Sequence, residues 1–128
     1  MAALALLGLA LVGCQSSSLN KHSYRPHELS AADQETVKAG VSARMKDPTS
    51  PMFGNMASSI AENGMVQVCG TVNGRNSFGA YAGAQPFTGV LTANDAGKMV
   101  FVVTGLGDGG SGNLAVGIMC RQAGIALF

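Results

Sequence analysis

The sequence predicts an α+β domain in which one amino-terminal helix packs on a small antiparallel meander sheet, with one disulfide holding the fold. Three observations lead to this fold class. One stretch carries apolar residues at helical spacing, the sequence after it alternates apolar and polar residues around two turn signals, and two cysteines lie far apart in that later part. A chain of 128 residues is expected to hold a single domain, which we place at residues 30 to 128.

The predicted helix begins at Ser30, whose side chain can cap the first turn, and Asp33 completes a capping-box pattern. An apolar residue recurs at every fourth position, at Val37, Val41 and Met45. Pro48 predicts that the helix ends near Lys46, because the residue before a proline avoids helical backbone angles.

The first predicted hairpin pairs residues 53 to 61 with residues 65 to 73, since the Asn63-Gly64 dipeptide between them is a strong hairpin signal. Its second strand alternates in a way that predicts one apolar face. The alternating residues are Val66, Val68 and Val72 on one side and Gln67, Cys69 and Thr71 on the other.

The second predicted hairpin pairs residues 87 to 92 with the strongly apolar residues 98 to 104, across a turn at residues 94 to 97. The last segment, residues 113 to 128, fits either a strand or a short helix, and we predict a strand that carries Cys120. Two Gly-rich stretches predict loops, at residues 74 to 86 and 105 to 112.

The amino-terminal sequence predicts an export signal. Residues 2 to 12 are apolar and uncharged, but the run is shorter than the ~20 residues that a membrane-spanning helix needs. Residues 11 to 14 read LVGC and resemble the bacterial lipobox, in which a peptidase cuts before the cysteine that carries the lipid. We therefore predict a lipoprotein signal peptide at residues 1 to 13 and a lipidated flexible tether at residues 14 to 29, acylated on Cys14. The alternative is a buried hydrophobic helix with an incidental cysteine.

Such an anchor predicts a place in the bacterial cell envelope. By resemblance to Gram-negative lipoproteins, Gln15 after the cysteine implies the outer membrane, with the domain facing the periplasm. Disulfides persist in that compartment, and Cys69 and Cys120 remain if Cys14 is acylated. A bridge between them would close a loop of about 50 residues, worth ~4 kcal/mol in the chain-entropy model. Two separate buried thiols, or part of a metal site, are the alternatives.

Two dense motifs follow the predicted helix. Residues 46 to 53 read KDPTSPMF, and residues 68 to 83 read VCGTVNGRNSFGAYAG, with Pro86-Phe87 continuing the second. They resemble the KDPxSxxF and VCGxVNxxNSFGxYxG motifs of a family of short exported proteobacterial proteins that has no assigned function. The resemblance implies export and a shared fold, and it implies no particular activity.

The second motif supplies the candidate interaction surface, which comprises Asn73, Asn76, Phe78 and Tyr81. The asparagines can bond nearby backbone in turns. Phe78 and Tyr81 either pack beneath the loop or stand on it as a recognition surface. Packing is the default expectation, and exposure of either ring would favour recognition, because exposed aromatic residues often anchor partners.

The sequence does not support an enzyme, a metal site or a cofactor site. Residues 105 to 110 fit G-x-G-x-x-G, but a dinucleotide site also needs an acidic residue ~20 positions later, and no acidic residue follows Gly110. Asp108 alone offers too few carboxylates for calcium. His22 and His27 lie in the predicted tether, where nothing holds them beside a nucleophile. With a formal charge of +1 and no basic patch, we also expect no nucleic-acid or nucleotide partner.

These observations favour a non-enzymatic binding or accessory protein of the envelope. Its expected partners are the membrane, through the lipid anchor, and an unidentified envelope protein. Two alternatives stay open. One is a structural component that supports envelope integrity. The other is an inhibitor of a cell-wall lytic enzyme, by analogy with other small disulfide-bonded envelope lipoproteins.

Overall fold

A five-stranded antiparallel sheet forms the centre of the domain. The computed structural model describes residues 23 to 127. In chain order the elements are β1 (Tyr24–His27), α1 (Ala31–Ser42), β2 (Met52–Ala61), β3 (Val66–Arg75), β4 (Tyr81–Ala93), β5 (Met99–Leu106) and α2 (Ser111–Gln122). The strands lie side by side in the same order as in the chain, and each is antiparallel to its neighbours.

The α+β class, the antiparallel sheet and the single disulfide are confirmed, whereas the number and placement of the helices are wrong. Strand β1 precedes α1, so α1 is not the first element. Residues 111 to 122 form a second helix where we predicted a strand carrying Cys120. The residues that this helix and its carboxyl end bury recur at helical spacing, at Val116, Cys120 and Ala123. Gly117, which is also buried but has no side chain, makes that periodicity hard to recognise in the sequence.

Part of the predicted flexible tether belongs to the sheet. Residues 24 to 27 pair with the last residues of β2, from Tyr24 opposite Ala61 to His27 opposite Ser58. The Ser58 hydroxyl donates a hydrogen bond to the His27 carbonyl at 2.7 Å. A four-residue strand that contains a proline shows no alternation to detect, and proline is tolerated because this strand lies at the sheet edge. Residues 1 to 22, including the predicted signal peptide and Cys14, lie outside the described residues.

Helix α1 begins as predicted and ends earlier. Ser30 Oγ accepts a hydrogen bond from Asp33 N, and Asp33 Oδ2 accepts one from Ser30 N, which completes the capping box. The regular helix stops at Ser42 and not near Lys46. Backbone bonds of the tighter i to i−3 type follow, from Arg44 N to the carbonyl of Val41 and from Met45 N to that of Ser42. The chain therefore leaves the helix a full turn before Pro48 forces it to.

The Gly-rich stretch at residues 74 to 86 is mostly strand and not loop. Strand β4 begins at Tyr81, so β3 and β4 form one long hairpin with a turn at residues 76 to 80. Gly83 has a φ of +100°, a conformation that glycine adopts without strain. The register of the β3–β4 pairing shifts between Asn73 and Arg75. This shift interrupts the alternation of apolar and polar residues from which a strand is predicted.

Each face of the sheet has its own core. Val68 and Val72 of β3 point to the face covered by α1. Cys69, which alternates with them, points to the opposite face, where α2 and the following residues cover it. The prediction of one apolar face on β3 is therefore incomplete, because helices cover both faces of this strand. Gln67 lies on the second face and satisfies its buried amide by donating to Thr88 Oγ1 at 2.6 Å.

Gly40 sets how closely α1 approaches β5. A Cβ atom added at Gly40 would lie 2.7 Å from the Phe101 carbonyl oxygen and 2.9 Å from Phe101 Cβ. The helix therefore rests directly on the backbone of β5.

We expect Gly40→Ala to destabilise the domain, although alanine improves helix propensity by about 1 kcal/mol. Overpacking against a fixed backbone costs about 1–3 kcal/mol, which outweighs that gain. Urea unfolding followed by circular dichroism gives the change in free energy. Gly117→Ala in α2 is the matched control, because its Cβ would meet only the flexible end of Arg121 at 3.5 Å. Stabilisation of both variants to the same extent would contradict this account of the α1–β5 contact.

Candidate interaction surface

The two sequence motifs meet at one end of the sheet. The first motif leads from α1 into β2, and Met52 and Phe53 at the start of β2 pair with Asn73 and Val72 near the end of β3. The second motif continues from there through the turn between β3 and β4. We call residues 75 to 81 the hairpin tip. The two motifs, which residues 54 to 67 separate in sequence, therefore build one surface.

Asparagine side chains fix the shape of the hairpin tip. Asn76 Oδ1 accepts hydrogen bonds from Phe78 N at 2.9 Å and from Ala80 N at 3.1 Å. Its backbone N–H donates to the Ala80 carbonyl at 2.7 Å. Asn73 Oδ1 accepts from Gly83 N at 3.0 Å, one step below the turn. Both asparagines bond nearby backbone, as predicted, and they hold the turn in one conformation.

Phe78 stands on this turn with 95% of its surface exposed. Tyr81 is 40% exposed, and its hydroxyl donates a hydrogen bond to the Ser50 carbonyl at 3.0 Å. The guanidinium of Arg75 lies over the Tyr81 ring, 5.3 Å from the ring centroid. The default expectation of packing is therefore wrong for Phe78, whereas Tyr81 is held against the first motif and Arg75. The exposure of Phe78 favours a recognition surface.

The first motif supports the hairpin tip from below. Lys46 Nζ donates a hydrogen bond to Ser77 Oγ at 3.3 Å. The Asp47 carboxylate accepts from Thr49 N at 3.0 Å, from Thr49 Oγ1 at 2.6 Å and from Ser50 Oγ at 2.6 Å. These bonds lower the pKa of Asp47 from 3.8 to about 2, the hydroxyl of Ser50 contributing most.

This pKa predicts a pH dependence of stability with a definite sign. A carboxyl group whose pKa is lower in the folded state adds stability above its unfolded pKa, and that stability is lost as the pH falls through the folded pKa. We expect the wild type to lose stability between pH 4 and pH 2, and Asp47→Asn to lose less of it in that window. Thermal unfolding of both proteins across this range makes the comparison. Parallel curves would show that Asp47 does not stabilise the loop in its charged form.

Sequence reasoning identified Asn73, Asn76, Phe78 and Tyr81, and the structure brings all four together at the hairpin tip and directly below it. It missed three supporting residues, Lys46, Ser50 and Arg75. Their position inside the two motifs was the available sequence signal that they take part in the same surface. What the sequence does not reveal is that the motifs touch.

The predicted disulfide between Cys69 and Cys120 is present. Cys69 on β3 and Cys120 on α2 are bridged, and both are buried. The alternative of separate thiols or metal ligands is therefore wrong for this pair. Among residues 23 to 127, no three or more His, Cys, Asp and Glu side chains group in a way that could hold a metal ion.

The Gly-rich loop before α2 is closed by its own carboxylate. Asp108 Oδ1 accepts hydrogen bonds from Gly110 N at 2.8 Å and from Gly112 N at 3.1 Å. A phosphate group placed at this helix start would have to displace Asp108 from amides that it already occupies. The loop geometry therefore gives no additional support to the dinucleotide motif.

A cleft of about 1200 Å³ lies between α1, the end of β1 with the residues that follow it, and the first part of β2. Its apolar lining includes Leu29, Phe53 and Met56. Its ionisable lining residues are His27, Glu28 and Lys38. His27, which we placed in a tether, is instead the last residue of β1.

Comparisons of the chain with protein-family models, with curated proteins and with solved structures found no match. Neither helix of the described region is long and apolar enough to cross a membrane.

Proposed function

We propose that this chain is an outer-membrane lipoprotein, anchored through lipid on Cys14, that works as a non-enzymatic binding or accessory protein of the envelope. The hairpin tip is its binding surface, and its partner is another envelope protein. The same proposal places the chain in the family of short exported proteins that its two motifs resemble. The observation that carries the proposed binding surface is the 95% exposure of Phe78 on a turn that Asn76 holds in place.

An exposed phenylalanine on a fixed turn is favourable for binding in two ways. Moving such a side chain from water into an apolar pocket gains about 1.5–3 kcal/mol. The ordering cost of binding is small, because the turn is already held by hydrogen bonds in the free protein. Aromatic side chains that enter well-packed pockets are typical energetic centres of protein interfaces.

The topology points the hairpin tip away from the proposed anchor. The described chain enters the sheet at Tyr24, opposite Ala61, at the end where β2 turns into β3. The hairpin tip lies at the other end of β3, whose ten residues span about 33 Å. Ten residue steps separate Cys14 from Tyr24, and these cover at most ~36 Å when fully extended. This topology presents the hairpin tip at the end of the sheet farthest from the entry of the proposed tether, and an aromatic ring on a held turn is typical of a protein interface.

Photocrosslinking in intact envelopes tests the binding surface. A photoreactive phenylalanine analogue at position 78 should yield one dominant protein adduct, and the same analogue at position 95, in the turn at the opposite end of the sheet, should not. Phe78→Ala and Tyr81→Ala, tested with the analogue moved to position 80, should lower the adduct yield while the domain stays folded. Equal, scattered labelling from positions 78 and 95 would count against a partner at the hairpin tip and would favour a structural role in the envelope.

The anchor has its own test. Labelled palmitate should be incorporated into the wild type and not into Cys14→Ala. Incorporation into neither protein would overturn the lipid anchor and the localisation that depends on it, while the crosslinking result would stand by itself.

A second function is inhibition of a cell-wall lytic enzyme. The protruding hairpin tip favours it, because a rigid turn with an exposed aromatic ring can enter an active-site cleft. Titration of the protein against purified glycan-cleaving enzymes should then give inhibition that Phe78→Ala abolishes. Enzymes that keep full activity at saturating protein would exclude this function for those tested.

A further inference from the structure

We infer that the hairpin tip is built for an apolar pocket rimmed by carboxylates on the partner protein, an inference that rests on the proposed function. Two cations contact the residues on either side of the exposed Phe78 in the hairpin tip. Lys46 reaches the tip at Ser77, 3.3 Å away, and Arg75 is held over the Tyr81 ring. A binding surface with an aromatic centre and a cationic rim calls for a partner with the opposite arrangement.

The two flanking cations have no ion pair within the described part of the chain. Among residues 23 to 127 the one salt bridge joins Lys38 and Glu35 on α1, away from the tip. The carboxylate nearest in sequence is Asp47, and it accepts three hydrogen bonds from Thr49 and Ser50. These bonds orient Asp47 into its own loop. Arg75 is near enough to contribute a small part of the lowering of the Asp47 pKa, but neither Arg75 nor Lys46 forms a salt bridge with Asp47.

The cations and the carboxylates at this end of the sheet differ in what they contact. Asp47 and Asp108 accept hydrogen bonds within their own loops. Lys46 and Arg75 contact residues of the hairpin tip instead. Positive charge therefore lies beside the exposed Phe78, although the whole chain has a formal charge of only +1.

Carboxylates are the partner groups that these cations select. The planar guanidinium of Arg75 can bind a carboxylate with two parallel hydrogen bonds, and the ammonium of Lys46 adds a compact point charge. Such rim charges change the association rate and the salt dependence more than they change the strength of the central contact. Phe78 supplies the central contact, and the cations restrict which pockets can receive it. An anionic bilayer offers similar charge, but the hairpin tip lies at the end of the sheet opposite the proposed anchor.

The test repeats the photocrosslinking at position 78 in charge-reversed proteins. We expect Lys46→Glu with Arg75→Glu to lower the yield of the dominant adduct by about tenfold. The control pair, Arg25→Glu with Lys98→Glu, changes the net charge equally at the other end of the sheet and should leave the yield unchanged. Raising the ionic strength should lower the yield in the wild type and have little effect in the Lys46→Glu, Arg75→Glu protein. Mass spectrometry of the adduct should place Asp or Glu side chains around the labelled site.

The possible outcomes separate the inference from the proposed function. A dominant adduct that survives both charge reversal and high salt overturns the carboxylate rim and leaves the binding surface intact. Absence of any dominant adduct in the wild type overturns both. An adduct with a lipid mass overturns the protein partner. Lys46→Gln with Arg75→Gln, a pair that removes charge without adding repulsion, should give a smaller drop in the same direction, and circular dichroism confirms that every variant is folded.

Discussion

Replacing both Cys69 and Cys120 by alanine is expected to lower the free energy of unfolding by about 4 kcal/mol. The two residues are bridged across 51 positions of sequence, so the bond removes much of the freedom of the unfolded chain. A small domain has only about 5–15 kcal/mol of stability in total. We therefore expect the double variant to have a much larger unfolded fraction under conditions where the wild type is folded.

Local structure makes α2 dependent on this bond. The N-cap residue of the helix is Gly110, which has no side chain of its own for capping, so the first turn is capped from the preceding loop, where Asp108 Oδ1 accepts a hydrogen bond from Gly112 N. The second core, which the helix shares with the sheet, is small, and its buried residues are Cys69, Val116, Cys120, Ala123 and Ile125. Two of these five residues are the bridged cysteines. Without the bond, the remaining apolar contacts alone must hold α2 on the sheet.

Urea unfolding of three samples checks this prediction: the oxidised wild type, the same protein after reduction, and the double variant. Cys69→Ala alone should lose nearly as much as the double variant, because either substitution abolishes the bridge. A loss below about 1 kcal/mol would mean that the denatured chain is already compact near these residues, so that the bond constrains it little.

The parts of the fold that were predicted correctly depend on neighbours in sequence. The capping box of Ser30 and Asp33 involves residues three positions apart, and the Asn63-Gly64 turn is a dipeptide. The parts that were missed depend on distant contacts. β1 is a strand because it pairs with residues more than 30 positions later. Helix α2 covers the sheet face that Cys69 of β3 faces, and the polar residues two positions before and after Cys69 in the sequence predict that this face is exposed.

The same distinction applies to the candidate interaction surface. The bonding of Asn76 to the turn is local and follows from its residue type. The exposure of Phe78 is not local, because it depends on β3 and β4 extending far enough to carry the turn beyond the core. The support from Lys46 and Ser50 requires a loop more than 25 residues away to fold against the hairpin. The two dense motifs identified this part of the chain as a candidate surface. Only the tertiary structure shows that Phe78 is exposed there and that Lys46 and Ser50 support the turn.

Replacing phenylalanine by alanine at position 87 and at position 78 distinguishes a residue of the core from a residue of the interaction surface. Phe87→Ala is expected to lower the free energy of unfolding by about 3–5 kcal/mol, the usual cost of removing a buried aromatic ring. The Phe87 side chain is fully buried and makes edge-to-face contacts with Phe53 and Phe101, at centroid distances of 6.2 and 6.1 Å. A Cβ atom on Gly70 would lie only 2.5 Å from its ring, so the ring fills the space that this glycine leaves open.

Phe78→Ala removes the same atoms from a side chain that is 95% exposed, and we expect the free energy of unfolding to change by no more than about 0.5 kcal/mol. Urea unfolding of both variants gives the two values directly. If Phe78→Ala destabilised the domain by several kcal/mol, its ring would be part of the folded core in solution, and the binding surface proposed for it would be overturned. If stability is unchanged and partner capture falls, the ring acts in binding. Any loss of capture by Phe87→Ala should instead scale with the unfolded fraction, because that residue reaches the partner only through the fold.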